Sequence, residues 1–301
     1  MNLFVFGLGY SAMALVRNHR ARFGDIAGTV RTREKAGKLL RSQPAGAPGF
    51  KVHTLDLAAK PVDIVDAALA RNLIAADAVL ASVPPTEAGE PALEQLRSLL
   101  VRARPRWIGY FSTVGVYGDH GGNWVDETSP AITTAERSLR RLRAEEGWLA
   151  LAAEIGARGF VFRLPGIYGP GRNVLCDLAA RTARNIDKPG QVFNRIHVDD
   201  IANAVAATLP EDVPGGIYNV SDDEPAAQGD VLLYAGRLMS MRPPLPVPLE
   251  EADLSPMARS FYNDNKRIRN GKLKALPGFS LHYPTYREGL QALWDSGEGY
   301  C

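Results

Sequence analysis

Residues 4–12 read Phe-Val-Phe-Gly-Leu-Gly-Tyr-Ser-Ala, and this stretch is the strongest indication of the fold. The apolar run Leu3–Phe6 ends in the pattern Gly7-x-Gly9-x-x-Ala12, and helix-compatible sequence follows at once. This order is typical of a strand, turn and helix that bind a dinucleotide. Gly7 would permit the tight turn, Gly9 would let backbone N–H groups approach a pyrophosphate, and Ala12 would let the helix pack closely on the strand. The motif alone also fits a glycine-rich turn without a ligand.

The composition is that of an ordinary globular protein. Of the 301 residues 46% are hydrophobic, and 35 basic residues nearly cancel 33 acidic ones, so nothing in the charge indicates a nucleic-acid or membrane-surface partner. The two cysteines, Cys176 and Cys301, form no disulfide framework and fit a reducing compartment. A strand that begins at residue 3 leaves no room for a signal peptide, and no stretch reaches roughly 18 apolar residues. We therefore expect a soluble, cytoplasmic protein.

Short apolar runs alternate with helix-compatible segments through the first half of the chain. The predicted strands are 3–6, 26–30, 50–55, 78–83, 107–112 and 159–163. The predicted helices are 11–23, 33–41, 62–71, 87–104 and 134–155. Short all-apolar strands separated by helices indicate a parallel sheet that is covered on both faces. The predicted fold class is therefore α/β, with a Rossmann-type doubly wound parallel sheet.

Proline and glycine become frequent after the sixth predicted strand, which indicates a change of architecture. We expect a dinucleotide-binding Rossmann domain over residues 1–165, to which residues 196–222 return as a helix and a strand. Residues 166–195 and 223–301 would form a smaller substrate-binding cap. A final amphipathic helix over residues 284–294 would pack the chain end.

The end of the second predicted strand bears on the choice of cofactor. In dinucleotide-binding folds a carboxylate here accepts from the ribose hydroxyls of NAD. This chain has no acid at that point and has Arg31 and Arg33 instead. Because guanidinium groups pair with a 2′-phosphate, the pattern favours NADP over NAD, although Arg33 could also be a solvated helix residue. Asp56, after the third strand, could face the adenine or cap a turn.

Four further segments occur in a fixed order along the chain. They read Ser-Thr-Val-Gly-Val-Tyr-Gly at 112–118, Asp-Glu-Thr-Ser-Pro at 126–130, Arg-Leu-Pro-Gly-Ile-Tyr-Gly-Pro-Gly at 163–171 and Arg-Ile-His-Val-Asp-Asp-Ile-Ala at 195–202. Together with the glycine turn, they make residues 1–220 resemble an extended or atypical short-chain dehydrogenase/reductase of the nucleotide-sugar epimerase/dehydratase branch. The resemblance implies a nicotinamide cofactor, for which Arg31 favours NADP over NAD. We expect its further contacts at Tyr10, Ser11, Val83, Pro84, Pro165 and Ile167.

The chemistry of that family uses a serine or threonine, a tyrosine and a lysine four residues after the tyrosine. By resemblance, Ser112 or Thr113 is the hydroxyl residue that bonds the reacting oxygen. The Tyr-x-x-x-Lys pair is missing, because the helix over 134–155 contains neither residue type. Anchoring on Glu145 puts Arg141 at the lysine position, with a register that could shift by one residue. Arg141 could keep a positive charge near the ribose, but an arginine at the tyrosine position cannot exchange protons near neutral pH.

Other side chains could take the place of the tyrosine. Tyr117 lies in the loop after the fifth strand, where it could act as an acid/base or line and pack the site. Tyr168 would flank the nicotinamide end or pack. His197 and Asp199 look catalytic, but in the family this segment mainly docks a helix, and no third ligand accompanies them to make a metal site.

Two function classes follow. The first is an epimerase/dehydratase- or reductase-like enzyme, NADP-dependent, that acts on a nucleotide sugar or another small carbonyl or hydroxyl compound. The second is an NADP-binding sensor or scaffold without turnover, which the missing Tyr-x-x-x-Lys pair favours. The remaining expectations are a small-molecule substrate, no nucleic-acid or membrane partner, no metal, and a homodimer formed through the helices over 87–104 and 134–155.

Overall fold

The computed structural model describes residues 1–42, 49–57 and 65–299. Its strands and helices alternate through the first half of the chain. In chain order they are β1 (Leu3–Phe6), α1 (Tyr10–Asn18), β2 (Ile26–Val30), α2 (Arg33–Arg41), β3 (Phe50–Thr54), α3 (Ala67–Ile74), β4 (Ala78–Ala81), α4 (Pro91–Ala103), β5 (Trp107–Thr113), β6 (Trp124–Val125), α5 (Glu136–Ile155) and β7 (Arg158–Leu164).

The second half has shorter elements, with loops between them. They are β8 (Gly166–Tyr168), α6 (Val174–Ala179), β9 (Ile186–Asp187), β10 (Arg195–His197), α7 (Val198–Ala207), β11 (Gly216–Asn219), α8 (Gln228–Leu238), β12 (Val247–Pro248), α9 (Pro256–Ser260), β13 (Arg267–Ile268), α10 (Gly271–Lys274) and α11 (Tyr286–Asp295). Two 3₁₀ turns lie at Arg20–Arg22 and Val114–Tyr117.

Seven strands form the central sheet in the order β3-β2-β1-β4-β5-β7-β11. β1 pairs in parallel with β2 and β4, and β2–β3 and β4–β5 are parallel as well. The change of direction in strand order lies between β1 and β4, where doubly wound sheets bind their ligands at the carboxyl ends of the strands. This architecture confirms the predicted fold class.

The chain divides into two compact units. The first comprises residues 1–113, 135–163 and 202–218, and the second comprises residues 114–134, 164–201 and 219–301. The first unit has an apolar core in which Trp148 of α5 lies 6.4 Å, between ring centroids, from both Phe6 of β1 and Tyr110 of β5. The second unit has its own core, in which Leu175, Leu232 and Leu290 are buried.

The observed boundaries follow local signals closely. β1, β2 and α2 have the predicted bounds, and α2 starts where Thr32 accepts a hydrogen bond from the N–H of Lys35. α4 begins at Pro91 rather than at residue 87, because Glu90 serves as its N-cap and proline occupies its first position. Of the helix predicted over 62–71, residues 62–64 lie outside the described residues. In the described part of the chain no helix is both long and apolar enough to cross a membrane.

The buried carboxylate of Asp200 binds the backbone of a distant segment of the second unit. Asp200, with 0% of its surface exposed, accepts hydrogen bonds from the N–H groups of His282 (2.7 Å) and Tyr283 (2.9 Å). Nearby, Nδ1 of His197 accepts from the N–H of Asp199 at 3.2 Å, and burial lowers the pKa of His197 to about 4. These side chains thus satisfy and position the backbone.

Replacing Asp200 by alanine should therefore lower the free energy of unfolding by about 2–4 kcal/mol, because two buried N–H donors lose their acceptor. Urea unfolding followed by circular dichroism measures the effect. Asp253→Ala, at an exposed carboxylate in the same unit, is the control and should change stability by less than about 0.5 kcal/mol. Equal effects of the two variants would contradict the assignment.

Candidate functional site

The glycine turn after β1 brings the backbones of neighbouring strands close together. Gly7 has a φ of +86°, and a Cβ at this position would lie 3.0 Å from Cγ2 of Val83. The N–H of Gly7 donates to Oγ1 of Thr29 at 3.0 Å, and the N–H of Gly9 donates to the carbonyl of Gly7 at 2.7 Å. A side chain at residue 7 would therefore strain the turn and collide with the segment that follows β4.

α1 begins directly from this turn with an open N-terminus. Gly9 is its N-cap residue, no side chain of the described residues caps the helix, and its first turn carries no acidic residue. A Cβ on Gly9 would have no other atom closer than 3.9 Å. Tyr10 and Ser11 begin the helix, and Ala12 is fully buried beneath it. The bare backbone and the positive end of the helix dipole suit a phosphate group, so these residues fit the pyrophosphate of a dinucleotide.

The end of β2 carries two cations. Arg31 follows the strand and Arg33 begins α2, and both side chains are exposed. Across the described ranges neither guanidinium forms an ion pair. Asp56, two residues beyond β3, is exposed as well. The edge beside the glycine turn is therefore positively charged at the place where the adenosine end of a dinucleotide lies in this fold.

Val83 and Pro84 lie in the segment after β4, separated from the strand by Ser82. Val83 is half-buried and borders Gly7, whereas Pro84 is exposed. The structure thus brings Gly7, Gly9 and Val83 together at the carboxyl edge of the sheet. The arginines after β2 lie at the end of the neighbouring strand.

β5 ends at this edge in Ser112 and Thr113. Oγ of Ser112 donates a hydrogen bond to Oε1 of Glu145 on α5. Glu145 in turn is ion-paired with Arg163 of β7, with Nη2 and Oε2 2.7 Å apart. The residues of this buried network, Ser112, Glu145 and Arg163, are 5%, 2% and 4% exposed. The hydroxyl proton of Ser112 is therefore held by an internal carboxylate, and Thr113, which is half-buried, is the last residue of the strand.

Arg141 of α5 also reaches the end of β5. Its Nη1 donates to the carbonyl of Phe111 at 2.6 Å and to the hydroxyl of Tyr110 at 3.2 Å. The guanidinium carbon lies 5.8 Å from the centroid of the Tyr110 ring. Burial raises the pKa of Tyr110 well above its ordinary value, against the smaller opposing effect of Arg141. Tyr110 therefore stays neutral, and Arg141 fixes a positive charge one residue before Ser112.

The buried carboxyl of Glu90 is a feature that the sequence did not reveal. It is the N-cap of α4, where Oε2 accepts from the N–H of Leu93 at 2.7 Å. The side chain is 3% exposed, and Oε1 has no hydrogen-bond partner in the described part of the chain. Burial raises the pKa of Glu90 to about 7, although Arg141 lowers it. The Glu90-Pro91 pair signals a helix start, but nothing local signals that the carboxyl is buried beside an arginine.

The other arginines of α5 are arranged differently. Arg140 pairs with the exposed Glu87 at 3.3 Å, a surface contact that contributes little to stability. Arg137 and Arg143 are exposed. In the described residues no group of three or more His, Cys, Asp or Glu side chains is placed to hold a metal ion.

Four of the residues considered for the site from sequence lie in two segments of the second unit. Tyr117 is fully buried, and its hydroxyl donates to Oδ1 of Asn219 at 2.8 Å, which favours packing over acid/base chemistry. Pro165 precedes β8, and Ile167 lies within it, opposite Ile196 of β10. Tyr168 is buried, and desolvation raises its pKa far above the ordinary value.

Known proteins share the sequence and the fold of this chain. Residues 87–221 match the model of the NAD dependent epimerase/dehydratase family. A functionally unknown conserved protein from Silicibacter pomeroyi DSS is 40% identical, with 99% of each chain covered and a TM-score of 0.83. A candidate NAD-dependent epimerase/dehydratase from Methylobacillus flagellatus is 25% identical, with 98% of each chain covered and a TM-score of 0.69.

A curated relative, Protein YeeZ of Escherichia coli (strain K12), is 27% identical over 249 residues, which cover 80% of this chain and 84% of the relative. The matched family segment runs from the loop that contains Glu90 to the end of β11, and it includes the carboxyl end of β5 and all of α5. Residues 87–221 thus carry a domain of the NAD dependent epimerase/dehydratase family, and the chain as a whole shares its fold with these solved structures.

Proposed function

We propose that this protein is an NADP-dependent oxidoreductase of the epimerase/dehydratase or reductase type, acting on a nucleotide sugar or another small carbonyl compound. The observation that carries the proposal is the open N-terminus of α1 at Gly9, beside the exposed Arg31. Backbone N–H groups would hold the pyrophosphate and the arginine would hold the 2′-phosphate. When bound, the cofactor supplies the hydride.

The preference for NADP rests on charge at the end of β2. Arg31 directly follows the strand. Arg33 comes after the N-cap residue Thr32 and is the first residue of α2. The guanidinium of Arg31 can pair with the 2′-phosphate of NADP through two parallel hydrogen bonds. The free ribose hydroxyls of NAD would find no carboxylate at this strand end. Asp56 would contact the adenine end.

The hydroxyl that would bond the reacting oxygen is Thr113 in this proposal. Ser112 already donates its proton to Glu145 inside the buried network. Arg141 would add positive charge at the same strand end, where charge develops on the oxygen during hydride transfer.

A second candidate is an NADP-binding protein without turnover. It is favoured by α5, which contains neither tyrosine nor lysine and therefore lacks the family's acid/base pair. NADPH fluorescence on addition of protein, followed by a panel of carbonyl compounds and nucleotide sugars, separates the two. Binding without turnover on the whole panel would favour the second candidate, and absence of NADPH binding would contradict both.

Arg31→Ala should weaken NADPH binding about 10- to 100-fold, because one or two charge-assisted hydrogen bonds to the 2′-phosphate are lost. NADH binding should change less than about twofold, since NADH has no such phosphate. Fluorescence titration or calorimetry with both cofactors measures the two effects.

Arg41→Ala, an exposed arginine in the last turn of α2, is the matched control and should leave both affinities unchanged. Arg33→Ala should have an intermediate effect. An equal loss of NADPH and NADH affinity in Arg31→Ala would contradict the assignment of NADP.

Ser112→Ala and Thr113→Val should separate structure from chemistry at the end of β5. Ser112→Ala should lower the free energy of unfolding by about 1.5–3 kcal/mol, because the buried carboxylate of Glu145 loses a donor. Thr113→Val should cost less than about 1 kcal/mol and lower turnover at least about tenfold with NADPH affinity retained. Urea unfolding and steady-state kinetics measure these effects, and the reverse pattern would exchange the two roles.

A further inference from the structure

A reduction at this site needs a proton as well as a hydride. The hydride forms a new C–H bond at the carbonyl carbon, the π electron pair moves to the oxygen, and the oxygen takes up one proton. The family's phenol supplies that proton, but α5 has no tyrosine. Some other group at the carboxyl edge of the sheet must therefore release and regain a proton near neutral pH.

Most polar groups near the end of β5 cannot do so. Arg141 keeps its proton at any working pH. Tyr110 is buried, and its phenol is harder to ionise than in water. Glu145 is ion-paired with Arg163 and already accepts the proton of Ser112.

Glu90 differs from all of these. Its carboxyl is buried, only Oε2 is engaged by the helix backbone, and Oε1 has no partner among the described residues. An unpartnered carboxyl oxygen in such a place is costly unless it carries a proton or receives a ligand. As the N-cap of α4, the helix that follows β4, Glu90 lies at the carboxyl edge of the parallel sheet, where β5 also ends. The charge of Arg141 acts on its carboxyl.

We propose that Glu90 is the proton donor that takes the place of the missing tyrosine, giving the proton on its carboxyl to the oxygen of the reduced carbonyl, directly or through one water. The donor becomes a carboxylate beside Arg141, the product is an alcohol, and the oxidised cofactor leaves with the positive charge on its nicotinamide. Water returns the proton to Glu90. This role rests on the proposed function.

Burial, the hydrogen bonds of the helix backbone and the nearby charges together determine the pKa of Glu90. On its own helix Glu94 opposes ionisation, on α5 Arg141 favours it, and on β5 the neighbouring Tyr110 stays neutral. Desolvation outweighs them and raises the pKa of Glu90 to about 7. A positive nicotinamide nearby would favour the carboxylate, whereas the neutral reduced ring would not.

Cofactor binding should therefore depend on pH in a way that distinguishes the two redox forms. Between pH 6 and pH 8 the affinity for NADP⁺ relative to NADPH should rise at least about threefold, because NADP⁺ favours the ionised carboxyl. The ratio cancels titration of the 2′-phosphate, which both forms carry. Calorimetry or fluorescence measures both affinities without any substrate.

Glu90→Gln should abolish this rise, while keeping an oxygen to accept from the N–H of Leu93. Glu94→Gln, at the exposed carboxylate one turn further along α4, should retain it. Arg141→Gln should move the rise to higher pH, since Arg141 favours the carboxylate. Cofactor binding with the same pH dependence in wild type and Glu90→Gln would overturn the proposal and leave the proposed function standing.

A second measurement needs no cofactor. The pKa of Glu90 is raised on folding, so in the wild type unfolding becomes easier as pH rises from about 4.5 to about 7, because the unfolded chain loses this proton first. Glu90→Gln should therefore match the wild-type melting temperature near pH 4.5 and exceed it at pH 8. No gain at pH 8 would overturn the proposal, whereas absence of binding of either cofactor would overturn the proposed function and the donor role together.

Discussion

The buried carboxylate of Glu145 fixes the arrangement of side chains at the carboxyl end of β5. It accepts from Ser112 of β5 and pairs with Arg163 of β7, so one side chain of α5 fastens two strands. Removing either Glu145 or Arg163 would leave an uncompensated buried charge, at a cost of about 3–5 kcal/mol. Because residues four apart on a helix lie on one face, this anchoring also places Arg141 at the end of β5.

That placement changes the chemistry available to the fold. The hydroxyl of Ser112 already donates to Glu145, and the guanidinium of Arg141 donates to the carbonyl of Phe111. The edge keeps a fixed positive charge but loses the mobile proton of a phenol. Glu90, at the start of α4, has a pKa that burial raises to about 7, and the charge of Arg141 acts on it.

Sequence alone predicted the parts of this structure that depend on local signals. The apolar runs of β1 and β2, the cap at Thr32 and the glycine turn at Gly7 are each determined by a few adjacent residues. The site depended on contacts between residues far apart in the chain. Glu145 and Arg163 are 18 residues apart, so no spacing rule indicated their buried ion pair. Glu90 and Arg141 are further apart still, so nothing local indicated that the charge of Arg141 acts on the buried carboxyl of Glu90.

In the tyrosine–lysine pair and in the proposed glutamate–arginine pair the proton donor needs a pKa near neutral pH, and the two donors start from opposite sides of that value. A phenol has an ordinary pKa near 10 and must be made more acidic, which a neighbouring cation does. A carboxyl has an ordinary pKa near 4.3 and must be made less acidic, which burial does. In the second case the cation limits the shift instead of driving it, and it stabilises the carboxylate once the proton has gone. In this proposal the buried Glu90, under the influence of Arg141, would take over the proton transfer that the family pair performs, so turnover would not require a tyrosine on α5.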